Sequence, residues 1–175
     1  MHASPLIARL ALAGVISALQ LTATAHAEDI KRVSSATSKS PISTTVVVPA
    51  GSRIVFLSGN LADVANPAAP AGSIEAYGNT HTQVISILKK FDKLLAAEGL
   101  TLADVVKVNV FMVGDPALGG KMDFAGLNAA YSDYFGSATQ PNKPVRTALQ
   151  VAALPMQGGL VEIEMTAAKA PAPAK

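Results

Sequence analysis

The sequence predicts an α+β layer domain, and three features carry that prediction. β-branched or apolar runs alternate with two segments of helical period in the order β-β-α-β-α-β-β. Val84, Ile87, Leu88, Phe91, Leu94 and Leu95 recur at spacings of three and four, the period of an amphipathic helix. Asp104–Val113 (DVVKVNVFMV) is a nearly continuous apolar run, as suits a buried strand. Two helices would then cover one face of a mixed sheet. The other face is left needing cover, which subunit association would supply.

The elements follow in order. Thr44–Val48 is β-branched throughout and reads as a strand. The turn cluster Pro49-Ala50-Gly51-Ser52 joins it to Arg53–Ser58 (RIVFLS), so the two are expected to form a hairpin. Gly59–Tyr77 holds Pro67, Pro70 and Gly72 and reads as a loop. Asn79 or Thr80 caps the first helix and Gly99 ends it, with Lys89, Lys90, Asp92, Lys93 and Glu98 on its solvated face. Asp123 caps a second helix to about Phe135, with Phe124, Leu127, Tyr131 and Tyr134 inward, and Gly136 stops it. Val145–Ala153 and Leu160–Ala167 are the last two strands, joined through Leu154–Gly159 (LPMQGG) as an irregular hairpin.

The ends of the chain read differently. Residues 1–27 carry Arg9, an apolar run from Leu10 to Leu21, and the small-residue pattern Ala25-His26-Ala27. That is the form of a cleavable signal peptide. The run is shorter than the roughly 20 apolar residues of a spanning helix, so no stable membrane anchor is expected. The mature chain would begin near Glu28 and be periplasmic or secreted. Residues 28–40 read as a flexible polar leader and 168–175 (AKAPAPAK) as a disordered tail, leaving one domain over 41–167.

Composition excludes several chemistries. There is no Cys, so neither disulfides nor thiol catalysis is available. His2 and His26 would leave with the signal, which makes His81 the sole mature histidine. A histidine-based zinc site or a Ser-His triad would rest on that residue alone. His81 opens the first helix, where a surface position is the simpler reading. The chain has 14 Lys and Arg against 12 Asp and Glu, and cleavage removes only Arg9 from these. So small a net charge gives no electrostatic reason to expect nucleic acid as a partner. No phosphate loop or dinucleotide fingerprint is present.

The last two strands carry the candidate chemistry. Alternation sets Arg146, Ala148, Gln150 and Ala152 on one face, and Glu162 and Glu164 oppose Val161, Ile163 and Met165. Read as a hairpin, Arg146, Glu162 and Glu164 project from the same face. Charged strand residues are most often simply solvated. Here small Ala148 and Ala152 flank Arg146 and leave room for a ligand. Arg offers a donor fork for a carboxylate, and a nearby Glu could position or deprotonate water. A turn near Pro155 sets Glu162 opposite Ala148. A turn near Gln157 sets it opposite Ala152, with the Arg146 and Glu162 backbones about 20 Å apart. Asn128 lies among apolar helix neighbours, and Gly59 lets the backbone approach a ligand closely.

From about Pro41 to Ala167 the chain resembles the RidA (YjgF) family. The specific stretch is Pro144-Val145-Arg146 through Leu154-Pro155 to Val161-Glu162-Ile163-Glu164-Met165. Phe56-Leu57-Ser58-Gly59-Asn60, Ala97-Glu98-Gly99-Leu100 with Val105-Val106-Lys107, and Leu127-Asn128-Ala129-Ala130-Tyr131 support it. The resemblance implies a chorismate-mutase-like fold and a homotrimer with clefts between subunits. It implies hydrolytic deamination of reactive 2-imino and enamine acids to 2-oxo acids and ammonia, with no metal or organic cofactor.

On the matching positions, Arg146 would hold the substrate carboxylate and Glu162 would position water with the backbone carbonyl of Ala148. Asn128 would line the cleft from a neighbouring subunit, and Gly59 would offer backbone contacts. Two departures stand out. A Tyr that closes over the site in many members is Ile42 here, and a frequent Cys is Ala148. The first departure keeps a second reading open, a non-catalytic envelope trimer that binds small carboxylic acids. Some members were described as ribonucleases or translation inhibitors; the near-zero charge, export and lack of an aromatic platform argue against that role here.

Overall fold

The computed structural model describes residues 28–35 and 40–172. The expected signal peptide, 1–27, lies outside the described residues, as does the end of the tail, 173–175. The elements are β1 (Lys31–Val33), β2 (Thr45–Val47), β3 (Arg53–Asn60), α1 (Ile74–Tyr77), α2 (Thr80–Ala97), β4 (Val105–Met112), α3 (Phe124–Tyr134), β5 (Val145–Gln150) and β6 (Val161–Lys169). Strands β3 to β6 form one mixed sheet in the order β3-β6-β4-β5, with β4 and β5 parallel and the other pairs antiparallel.

The helices form where capping and periodicity place them. Asn79 accepts a hydrogen bond from the Thr82 N–H at the start of α2, and Gly99 takes the left-handed conformation just past its end. Asp123 accepts from the Gly126 N–H to start α3. Val84, Ile87, Leu88, Phe91 and Leu95 of α2 are fully buried with Leu127, Ala130 and Tyr131 of α3. They pack on Val108, Val110 and Met112 of β4 and Val161, Ile163 and Met165 of β6. That is the expected arrangement, two helices over one face of a mixed sheet. The opposite face keeps Ile54, Phe56 and Leu149 exposed, Phe56 at 81%.

Two pairings differ from the sequence reading. The Thr44–Val48 strand makes no hairpin with β3. It pairs with β1, inside the segment read as a flexible leader, to form a separate two-stranded ribbon. Arg32 donates from its guanidinium to the carbonyls of Ala103 and Val105 and so ties β1 to the start of β4. A charged residue serving backbone carbonyls is invisible to a reading by hydropathy.

The irregular hairpin of the last two strands is also absent, because β4 lies between β5 and β6. β6 alternates Val161, Ile163, Met165 and Ala167 into the core and needs a neighbour on both edges. β4 and β5 are joined through α3 as a parallel crossover unit. The connection from β5 to β6 therefore passes over the end of β4, where Val151 N–H donates to Met112 and Val113 N–H to Leu160. β6 continues to Lys169, beyond the point where the tail was expected to begin.

Gln83 secures the loops at this end. Its buried amide donates to the carbonyls of Gly78 (2.9 Å) and Gly158 (3.1 Å) and accepts from Leu160 N–H (2.8 Å). Gly158 has φ +79° and sits where a Cβ would collide with the Ser73 and Gly72 backbone. Replacing Gln83 by Leu leaves three backbone groups without their partner. We expect Gln83→Leu to cost about 2–4 kcal/mol of stability, read as a lower denaturant midpoint at unchanged slope.

Candidate functional site

Strand register decides where the polar residues of the last two strands point. Arg146 pairs with Val108, which pairs with Met165, so all three lie on the helix-covered face. Glu162 is opposite Phe111 and Glu164 opposite Asn109, on the other face. The expectation that Arg146, Glu162 and Glu164 share a face is therefore corrected. In a hairpin β5 and β6 would be direct neighbours, and inserting β4 resets their alternation. Along β4 the two sites are three residues apart and across the sheet two strands apart. Their backbones are separated by about 14 Å.

Arg146 is held by α3. Phe124, Asn128 and Tyr131 stand at i, i+4 and i+7, one stripe of the helix. Asn128 Oδ1 accepts from Arg146 Nη2 at 2.7 Å. The guanidinium carbon lies 4.5 Å from the Tyr131 ring centroid and 5.7 Å from that of Phe124. Tyr131 is itself stacked on Phe135, with centroids 4.5 Å apart. The resemblance set Asn128 on a neighbouring subunit; here it serves Arg146 within one chain. Phe124, expected inward, is 45% exposed over the guanidinium.

Arg146 forms no ion pair among the described residues, and its Nη1 is buried without an acceptor. Burial lowers its pKa, opposed by neighbouring Tyr131, yet an arginine remains a cation. Burial pushes the Tyr131 phenol well above its ordinary range, so it stays neutral. The arrangement is a half-buried positive charge without an acidic partner among the described residues. Ala148 follows on the same face, half-buried, on an edge strand whose outer side is open.

Glu162 and Gly59 form a second grouping, on the open face. A Cβ at Gly59 would collide with Glu162 Oε1, so the absence of a side chain there makes room for the carboxylate. Glu162 makes no hydrogen bond or ion pair among the described residues. Glu164 instead accepts from Asn109 Nδ2 at 2.6 Å. Ile42 packs on the core beside the approach to β5, where Ser43 N–H donates to Pro144 and Ser43 Oγ to Lys143.

A cleft of about 400 Å³ lies elsewhere, lined by Asp29, Arg32, Asp104, Asn142 and Lys169. Its charges offset one another, with Lys169 on Asp104 at 3.3 Å, so its size carries no functional weight. Among the described residues no three His, Asp or Glu side chains gather as metal ligands, and no helix is long and apolar enough to cross a membrane.

Tyr131 and Phe124 are the site residues that the sequence reading took for core packing alone. The Phe-x₃-Asn-x₂-Tyr spacing on a helix facing Arg146 was the available signal.

A mixed sheet with two helices on one face and an unpaired arginine beneath the second helix defines a small α+β domain of the chorismate-mutase-like class. The chain belongs to the RidA/YjgF family, whose model, described as Endoribonuclease L-PSP, matches residues 34–169. It is 35% identical to Protein DfrA of Myxococcus xanthus over 127 residues, 73% of this chain and 84% of that protein. It is 35% identical to the 2-iminobutanoate/2-iminopropanoate deaminase of Capra hircus over 133 residues, 75% of this chain and 82% of that one. The crystal structure of E. coli TdcF with bound serine is similar at 29% identity and TM-score 0.51, covering 70% of this chain and 84% of that one.

An internal carboxylate should occupy the free charge of Arg146. Asn128→Asp is expected to raise stability by about 1 kcal/mol through a charge-assisted bond. The same variant should lose at least about tenfold in affinity for any small carboxylate that Arg146 takes up. Thermal unfolding and titration calorimetry on one sample check both.

Proposed function

We propose that this protein hydrolyses small 2-imino and enamine acids to 2-oxo acids and ammonia, as a homotrimer exported from the cytoplasm. The observation that carries the reading is the half-buried Arg146 cation, which has no counter-ion among the described residues. A substrate carboxylate supplies the missing charge. The name of the goat relative specifies this reaction, and serine bound to E. coli TdcF is a ligand of the same size and carboxylate chemistry.

Arg146 and Asn128 lie about 14 Å from Glu162 on opposite faces of one sheet, so no single small substrate reaches both in one chain. Association through the open face would bring Glu162 and Gly59 of one copy to Arg146, Asn128 and Ala148 of another. In that cleft Arg146 anchors the carboxylate and fixes the imine carbon. Glu162 orients water and takes its proton as oxygen attacks that carbon and the C=N π pair moves to nitrogen, which receives the proton back from Glu162. Glu162 then moves the carbinolamine O–H proton to nitrogen as the C–N bond breaks and the C=O forms, releasing ammonia and the 2-oxo acid. No step requires a metal or an organic cofactor.

One observation favours a second reading, a carboxylate-binding trimer without turnover. Ile42, at the position of the family's Tyr, is packed on the core and brings no polar atom to a ligand.

The test is ammonia release from 2-iminopropanoate and 2-iminobutanoate, generated in place by an amino acid oxidase. Arg146→Ala is expected to abolish turnover and leave the oligomer intact. Glu162→Gln should keep 2-oxobutanoate binding and lose about 100-fold in kcat. Binding by the wild-type chain without acceleration selects the second reading, and wild-type turnover by Arg146→Ala overturns the mechanism.

A further inference from the structure

A guanidinium that waits for a substrate carboxylate poses a physical problem. Its charge has lost part of its hydration, which is unfavourable unless something compensates. The usual compensation is an acidic partner. Such a partner would occupy the same donor edge that the substrate needs. At Arg146 the compensation comes from a different direction. The guanidinium carbon lies over aromatic faces, 4.5 Å from the Tyr131 centroid and 5.7 Å from that of Phe124. The negative face of a ring attracts a cation without accepting its hydrogen bonds.

We propose that Tyr131 is a positioning residue for the anion site. Its ring face stabilises the Arg146 cation and fixes the guanidinium plane, and Asn128 fixes the rotation within that plane. The inference rests on the carboxylate-binding reading for its purpose. The structural claim, that the ring holds the guanidinium, stands apart from whether turnover occurs.

Three observations separate this role from ordinary core packing. Tyr131 is 0% exposed and its ring contacts both Phe135 and the Arg146 guanidinium, each at 4.5 Å. Its hydroxyl is buried with no partner among the described residues. The polar end of the side chain thus makes no visible contribution, and the ring is the working part. Asn128 and Tyr131 are three residues apart on the same helix, so one rigid element presents both contacts.

The experiment varies the charge of the ring face with only a small change of ring size, and the denaturant midpoint of each variant reports any loss of packing. Position 131 is changed to Phe and then to phenylalanines bearing one to five fluorine atoms, which drain the face of negative charge while keeping a ring. Two quantities are read in the full chain: the Nε–H order parameter of Arg146 by NMR, and the dissociation constant for 2-oxobutanoate. Tyr131→Phe, which keeps the ring face and removes the hydroxyl, is the reference from which the series is read. Increasing fluorination should lower the Arg146 order parameter stepwise and weaken 2-oxobutanoate by about tenfold at the perfluorinated ring. An order parameter that does not change across the series overturns the proposal, because packing alone predicts no trend. The NMR reading needs neither ligand nor activity. A wild-type chain that neither binds nor turns over therefore removes the functional reading and still leaves this one decided.

Discussion

Strand β4 holds β5 and β6 apart, and the position of each polar group at the candidate site depends on that separation. Consecutive strands usually pair. Here β4 pairs parallel to β5 and antiparallel to β6. The arrangement gives β6 two neighbours and buries Val161, Ile163 and Met165 under both helices. It also turns Arg146 to the helix side and Glu162 to the open side. A hairpin turning near Pro155 would have set the two on one face within reach of an ion pair, which would leave neither free for a substrate. The topology keeps the cation and the carboxylate of one chain from neutralising one another.

That separation has an energetic consequence at Arg146. A buried pair of opposite charges is a weak source of stability, because desolvation offsets much of the attraction. A half-buried cation without a partner is less favourable still. α3 limits the cost with Asn128, which accepts one hydrogen bond, and with two ring faces that accept none. Nη1 remains without an acceptor. The fold thus retains a local deficit at Arg146 among the described residues, and a buried polar group left without a partner calls for such an explanation as a functional role.

How far the sequence disclosed this follows from what periodicity can encode. The stripe Val84-Ile87-Leu88-Phe91-Leu95 and the caps at Asn79 and Asp123 predict α2 and α3 because helix contacts are local in sequence. Alternation in β6 likewise tells which residues are buried. Alternation does not name a strand's neighbour, since the same pattern serves any partner. Hence Thr45–Val47 was assigned to β3 when it pairs with β1, and β5 to β6 when it pairs with β4. Of the candidate site, Arg146, Asn128, Gly59, Ala148 and Glu162 were legible as residue types at matching positions. Their division between two faces was not, because it depends on pairing. The part played by Tyr131 was hidden for a related reason: its burial reads as packing, and a cation against a ring leaves no signature in hydropathy.

The open face then acquires a meaning beyond its apolar area. Phe56, Ile54 and Leu149 are exposed on the same side as Glu162. Large apolar side chains displayed beside a carboxylate without a partner are poorly placed for a lone subunit in water. Under the proposed assembly the same surface does two things. Burial of Phe56 and its neighbours supplies the association energy, and Glu162 is carried with them to another copy's Arg146. Gly59 is what makes this compatible with a well-packed sheet, since any larger residue would push the Glu162 carboxylate from its place. Association and chemistry would then depend on one face, so the oligomer is a condition of the activity rather than an addition to it.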